Sequence, residues 1–453
     1  MKINSDRQAQ YGLTLHVAEE ADRSKARGNR EIARIGSEIT FDPKVLDTYH
    51  YSGWKSAHHD LLVICAAAEY ADRRCARRIG QWARSFKLTI PVREPALWQR
   101  SEVTLSLIDT LRHLTGDDWD FAFTPSVAKD ESFARQRSLD FGNSKQFVIA
   151  YSDGLDSRSV SGIHSVGDAA IRVRVTKNKG RIKSSEAPFD LIPFSVKVPS
   201  SPESSVRSRG FKFASVTAIA AQISNVKRIV VPESGQGALG PALLPLHNIY
   251  ADYRNHPTFF RKMERFIRLA LQYELSYEQP RLWHTKGQTI FEFISQPGQS
   301  AQSLSDTRSC WQQRWNTRSE GKLRQCGLCA ACLLRRMSLH AAGVKETDDT
   351  YIFSDLSASK HKGSAQQTSR TMLEYGSVGA RHLHQLANLA EVPDAQLRGH
   401  SYELARVLSI PEEETLLNLK RLLTQHSKEW REFVNSQGPA SFLVRWTGGE
   451  LYG

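Results

Sequence analysis

Four of the chain's six cysteines fall within 23 positions, Cys310 and then Cys326-Gly-Leu-Cys329-Ala-Ala-Cys332, and no other feature constrains the fold as tightly. Six cysteines in 453 residues are too few for a disulfide framework, and such crowding favours a metal. The spacing C-x2-C-x2-C places three sulfurs around one ion, with Cys310 folding back as the fourth ligand. Thiolates suit Zn2+, and four protein ligands leave no open coordination position, so the metal would be structural. An iron–sulfur cluster competes, because C-x2-C-x2-C also occurs in ferredoxins, although the further cysteine of that run is missing here. Cys65 and Cys75 lie in an apolar helical pattern and read as core or near-surface thiols.

An apolar share of 40% and a charged share of 24% describe a globular chain, long enough for roughly two to four domains. No run approaches the roughly 18–20 apolar residues of a membrane span. The opening MKINSDRQAQYG lacks an apolar signal region, so a cytoplasmic protein is expected, with no membrane partner. The net charge of +13 favours an anionic partner such as nucleotide phosphates, nucleic acid or an acidic protein, or else a basic solvated surface. Aromatic residues are not interleaved with the basic clusters as they are in single-strand binders.

Three regions are expected. Residues 1–140 alternate strand-like stretches (LTLHVA, EITFD, KLTIPVREP, WDFAFTP) with helical ones, the first running from His59 to Arg84, and form a small α/β module. Residues 141–345 contain the short apolar strands QFVIAY, AIRVRVTK, FDLIPFSVKV and VKRIVVP, with an amphipathic helix GFKFASVTAIAAQIS before the last. That alternation indicates an α/β fold with a mainly parallel central sheet covered on both faces. Residues 346–453 contain a linker, SASKHKGSAQQTSR, and continue beyond it as a helical region. There Ser409-Ile-Pro411-Glu412 reads as a capping-box start, Leu416, Leu419, Leu423, Trp430 and Phe433 form a core-facing stripe, and Gly438 is the stop.

Between QFVIAY and the next helix the chain must turn sharply through Ser152-Asp153-Gly154-Leu155-Asp156-Ser157. Gly154 can adopt positive φ without a Cβ penalty. Ser152 and Ser157 supply hydroxyls, the new helix offers unpaired N–H groups at its positive dipole end, and Arg158 adds positive charge. A pyrophosphate fits such a turn. No GxxxxGK[ST] occurs, which excludes a Walker-type NTPase. Further on, Glu233-Ser-Gly235-Gln-Gly237 follows the fourth strand and reads as a glycine-rich loop at a strand's carboxyl end, suited to close approach of a ligand. Glu233 can accept hydrogen bonds from a guanine-like edge or stand as a solvated loop carboxylate.

Turn and cysteines, in this order, resemble the QueC-like 7-cyano-7-deazaguanine synthases of the PP-loop ATP pyrophosphatase superfamily. The resemblance covers roughly residues 141–345. The turn resembles the family's SGGxDS loop, with Asp153 in place of the first glycine, and the knuckle leads into LLRRMSLHAAGV as in that family. The flanking regions look like the longer anti-phage branch represented by QatC. The resemblance implies a PP-loop domain of the adenine nucleotide alpha hydrolase-like (HUP) type with a zinc knuckle, a small N-terminal α/β domain and a helical C-terminal domain. It implies ATP and Mg2+ held by Ser152, Asp153, Gly154, Leu155, Asp156, Ser157 and Arg209. Catalytic roles fall to Ser152, Asp156, Ser157, Arg158 and Lys286, the last in a polar segment near the nucleotide. Substrate contacts fall to Glu233, Gly235, Gly237 and His256, and structural zinc to the four cysteines.

The chemistry so implied is ATP-dependent adenylation of the carboxylate of 7-carboxy-7-deazaguanine, followed by amide formation with an amine. The extra regions point to an amine on a partner protein of a defence operon, such as QatB, by way of its N-terminus. A free 7-cyano-7-deazaguanine synthase, a PP-loop tRNA-modifying enzyme and an inactive nucleotide-sensing scaffold are the alternatives, and tRNA is not the expected partner.

Overall fold

The computed structural model describes residues 12–20, 22, 30–44, 53–77, 83–128, 145–164, 169–176, 190–246, 249–312, 314–319, 321–361 and 369–448. Its elements run β1 (Gly12–Ala18), β2 (Arg30–Arg34), β3 (Ile39–Phe41), α1 (Ser56–Arg74), β4 (Ser85–Val92), α2 (Pro95–Trp98), α3 (Ser101–Thr115) and β5 (Asp118–Pro125). There follow β6 (Phe147–Ala150), α4 (Leu155–His164), β7 (Ala170–Thr176), β8 (Asp190–Val196), α5 (Arg209–Ile223), β9 (Arg228–Val230), α6 (Gly235–Leu243), α7 (Pro257–Leu271) and β10 (Ser276–Glu278). Then come α8 (Lys286–Ile294), β11 (Arg318–Ser319), β12 (Lys322–Leu323), α9 (Ala330–Ala341), α10 (Arg370–Asn388), α11 (Asp394–Leu408), α12 (Glu412–Ser436) and α13 (Phe442–Thr447). They divide into two compact units. One spans 1–151, 167–231 and 247–279, the other 152–166, 232–246 and 280–453.

The first unit holds two sheets. Strands β2-β1-β4-β5 pair in parallel, and β10-β9-β6-β7-β8 form the expected parallel sheet. The EITFD strand, β3, joins this second sheet antiparallel to β8, through Ile39↔Val196 to Phe41↔Phe194. The order places β6 where the chain reverses direction across the sheet, with β7 and β8 on one side and β9 and β10 on the other. Open α/β sheets bind ligands beyond the carboxyl ends of strands at such a reversal.

Helix α1 packs against β1 and β4 of one sheet and β3 and β8 of the other. From Ala57 to Asp72 every residue but His59 is buried, which suits its run of small and apolar residues from Leu61 to Ala68. It ends at Arg74, short of the expected Arg84. Arg84 turns back instead and donates to the carbonyls of Asp72 and Cys75, satisfying acceptors the helix end leaves open. Its guanidinium also grips Asp117 at 3.0 and 2.6 Å and Asp72 at 2.7 Å, and Asp72 accepts the Ser208 amide just before α5.

His58, also on α1, is buried and neutral. Its Nε2 donates to Gln222 Oε1 at 2.8 Å, while Nδ1 accepts the Lys55 amide at 3.1 Å. Burial pushes its pKa down from 6.5 to about 4. The unfolded ring therefore protonates first, and stability present at neutral pH is lost as the pH falls from 6.5 to about 4. The full loss is on the order of 3 kcal/mol. Denaturant midpoints are expected to fall from neutral pH to about pH 5, and less steeply in His58→Gln; an equally steep fall in the variant would refute the assignment.

The second unit is mostly helical, and the expected helical C-terminal region forms part of it as α10 to α13. Leu416, Leu419, Leu423, Trp430 and Phe433 of α12 are all buried, so the stripe is core. The capping-box start is not formed. Ser409 takes a left-handed conformation (φ 58°) and closes α11, and α12 begins after Pro411 with no side-chain cap. Glu412, Glu413 and Glu414 complement its dipole instead. The glycine-rich segment after β9 is the start of helix α6 and not a loop. Strands β2, β10, β11 and β12 escaped the sequence reading. Residues 78–82, 362–368 and the expected boundary at 140/141 lie outside the described residues. No helix among the described residues is long and apolar enough to cross a membrane.

Candidate active site and metal centre

From the carboxyl end of β6 the chain runs directly into Ser152–Ser157, and α4 begins at Leu155. The hydroxyls of Ser152 and Ser157 bond each other at 2.8 Å, and Gly154 N donates to Ser152 Oγ at 3.1 Å. Gly154 does not use the positive φ open to it. Its lack of a side chain matters differently, because a Cβ would stand 3.1 Å from Ser152 Oγ and crowd the hydroxyl in the turn. Asp153 is held in the turn by two contacts. Its carbonyl accepts the Arg308 amide at 2.7 Å, and its carboxylate faces Arg314 at 3.6 Å. Arg158 is buried and donates to Ser303 O at 2.7 Å, with Asp306 at 3.4 Å. It ties α4 to the segment that leads into the cysteines.

Lys286, the first residue of α8, reaches the turn. Its ammonium donates to Asp156 Oδ2, and both side chains are largely buried. Burial works against the charge on Lys286, yet the carboxylates of Asp156 and Glu233 outweigh it and raise the pKa above its ordinary value. Asp156 Oδ1, also buried, has no hydrogen-bond partner. The centre thus combines a fixed cation, two hydroxyls, the amino end of α4 and one spare carboxylate oxygen. That set fits the phosphates of a nucleotide and an accompanying divalent cation.

Glu233 folds over the first turn of α6. A Cβ on Gly237 would lie 2.2 Å from Glu233 Oε1, so this approach requires glycine. At Gly235 a Cβ would lie 2.3 Å from Leu282 O and 2.5 Å from Leu422, and its amide donates to His284 O at 2.9 Å. Gly235 therefore serves packing. Arg209 and His256 belong to the first unit. Arg209 is exposed on the first turn of α5, over the Phe213 ring, and buried His256 caps α7 by accepting the Thr258 amide at 3.3 Å.

The four predicted cysteines converge. The sulfurs of Cys310, Cys326, Cys329 and Cys332 all lie within 4.8 Å of one another, and Cys326 and Cys332 are 3.7 Å apart. Tetrahedral zinc with bonds of about 2.3 Å separates its sulfurs by about 3.8 Å, so the set fits one ion, whereas a multi-iron cluster needs its cysteines spread around a larger body. Amides of Cys326 and Cys329 donate to the sulfurs of Cys310 and Cys326, each at 3.3 Å, as thiolates require. Hydrogen bonds from Cys326, Cys329 and Cys332 hold the Cys310 thiol far below its ordinary pKa.

Four residues passed over in the sequence surround Lys286. Its amide donates to Gln236 Oε1 at 2.7 Å, and Gln236 in turn meets His426. Thr285 caps α8 and donates to Glu429. His426 and Glu429 were visible as polar residues on the apolar stripe of α12, a signal the reading did not use.

Residues 197–343, about a third of the chain, match the model of the family described as Queuosine biosynthesis protein QueC. No curated protein and no solved structure matches the chain. The matched span includes α5 to α9, Lys286 and all four cysteines, and supports a QueC-like, ATP-using synthase-type protein. The turn at Ser152–Ser157 precedes it.

Proposed function

We propose that this chain, QueC-like over its matched third, is an ATP-dependent C–N ligase that adenylates the carboxylate of a 7-carboxy-7-deazaguanine-type substrate and transfers the acyl group to an amine. The observation that carries this reading is the ion pair between Lys286, inside the matched span, and Asp156, on the phosphate-type turn outside it.

In the first step the substrate carboxylate attacks the α-phosphorus of ATP, and the bond to pyrophosphate breaks. Ser152, Ser157 and the amides at the start of α4 receive the departing pyrophosphate, and Lys286 neutralises the charge developing on it. Asp156 keeps Lys286 charged and aimed. Its spare oxygen would hold the magnesium that accompanies the nucleotide, which adds neutralising charge at the phosphates. In the second step the amine attacks the acyl carbon, loses a proton and expels AMP. Glu233 is the proposed reader of the guanine-like edge. Arg209 is proposed to contact the nucleotide and His256 the substrate.

The amine is proposed to be the N-terminus of a partner protein, in a cytoplasmic anti-phage system. The regions outside the matched span support this: a sheet of four strands before it and helices α10 to α13 after it exceed what a small-molecule synthase requires.

Mass spectrometry of the protein with ATP, Mg2+ and 7-carboxy-7-deazaguanine tests the proposal, with ammonia in one tube and neighbouring gene products in another. AMP together with a mass shift on a partner is the expected result. AMP with only a small-molecule amide or nitrile would return the protein to base synthesis, and no AMP in any tube would overturn the ligase reading.

A further inference from the structure

Helix α12 lies outside the matched span, yet it holds the chain on both sides of Lys286. Thr285 Oγ1 donates to Glu429 Oε1 at 2.5 Å, and Gln425 Nε2 donates to the same oxygen at 2.9 Å. Gln236, which accepts the Lys286 amide, donates to His426 Nδ1 at 3.2 Å, and His426 Nε2 donates to Leu383 O at 2.9 Å. On the other side, a Cβ on Gly287 would stand 2.9 Å from Glu429 Oε1 and 3.0 Å from the Ala341 methyl group. Residues 285, 286 and 287 are thus fixed in turn by a hydroxyl, an amide and the absence of a side chain.

Stability alone does not account for these groups. His426 and Glu429 sit three positions apart on the face that otherwise carries Leu419, Leu423, Trp430 and Phe433, and both are almost fully buried. Apolar residues there would fill the core without desolvating a carboxyl and an imidazole. Glu429 Oε2 has no hydrogen-bond partner, and burial pushes the carboxyl pKa up. A buried polar network of this kind costs stability and enforces one geometry. The geometry it enforces is the first turn of α8, from which Lys286 reaches Asp156.

We infer that Glu429 and His426 are positioning residues, through which the C-terminal helix holds Lys286 at the phosphate turn and sets the rate of the ATP-dependent step. This rests on the ligase reading above for its rate consequence, and on the contacts alone for its structural part. A misplacement of about 1 Å can cost a reaction on the order of 100-fold.

The test compares Glu429→Met, which fills the same volume without hydrogen bonding, with Glu429→Gln, whose amide oxygen still accepts from Thr285 and Gln425. The expected result is that E429M melts no lower than the parent protein, while kcat for AMP formation falls at least about 10-fold with little change in KM for ATP. E429Q is expected to recover most of the rate. Amine acylation without nucleotide, followed by peptide mass spectrometry, gives a second readout: Lys286 is expected to label faster in E429M than in the parent or E429Q. A folded E429M with parental kcat and parental Lys286 labelling would overturn the inference. If the parent protein forms no AMP, the ligase reading fails and the labelling comparison alone decides. If E429M does not fold, Thr285→Val against Thr285→Ser repeats the comparison from the other end of the same hydrogen bond.

Discussion

Lys286→Met is expected to reduce AMP formation by on the order of 100- to 1000-fold, the usual cost of removing one fixed group that stabilises transition-state charge. The side chain is buried and its ammonium touches one carboxylate, Asp156, at the amino end of α4. Removing it also leaves Asp156 as a buried charge without its partner, which costs about 3–5 kcal/mol in stability. The two effects separate in the double variant K286M/D156N. There the buried charge is gone, so denaturant stability is expected to recover while activity stays lost. Quenched-flow measurement of AMP with equilibrium unfolding checks both. Retention of more than about a tenth of the parental rate in K286M would remove Lys286 from the chemistry.

The second large effect is expected from stripping metal from the four-cysteine site. The purified protein is expected to be colourless with one zinc per chain. Cys329→Ser or prolonged chelation is expected to lower the melting temperature sharply, since structural zinc contributes an apparent 10–16 kcal/mol of binding energy on the order of whole-domain stability. The loss should not stop at the knuckle. Arg335 of α9 is buried and donates to Thr307 Oγ1 at 2.7 Å, and the next residue, Arg308, donates its amide to Asp153 O in the turn. Nucleotide affinity is therefore expected to fall along with zinc content. Elemental analysis, thermal melts and nucleotide titration on the same samples test this chain of contacts. Unchanged melting in metal-free protein would break it, and a brown protein would mean an iron–sulfur cluster.

The cysteines and the turn were legible because each depends on local spacing: four thiols in a short stretch, and serines bracketing a strand-to-helix turn. The parallel sheet was legible from strand–helix alternation. What failed was long-range pairing. EITFD reads as a strand, but nothing local shows that it binds β8. Arg84 reads as the tail of a helix, since only the fold reveals Asp72 and Asp117 beside it. Ser409 carries a capping pattern, but the preceding helix needed a terminator at the same residue. Lys286 was found through family resemblance, and its partner Asp156 was assigned to the turn without any hint of the pair. His426 and Glu429 did leave a trace, as polar breaks in an apolar stripe, and the stripe was read for its leucines alone.

The interleaving of the two units has a consequence for synthesis on the ribosome. The second unit starts with the turn at residue 152, acquires Lys286 much later, and is completed only when α12 has been translated. A nascent chain that already carries the turn, Lys286 and the cysteines still lacks Glu429 and His426. Until α12 emerges it has none of the contacts by which Glu429 and Gln236–His426 hold residues 285–287. Completion of the second unit thus coincides with translation of α12, long after the turn at residue 152 has left the ribosome.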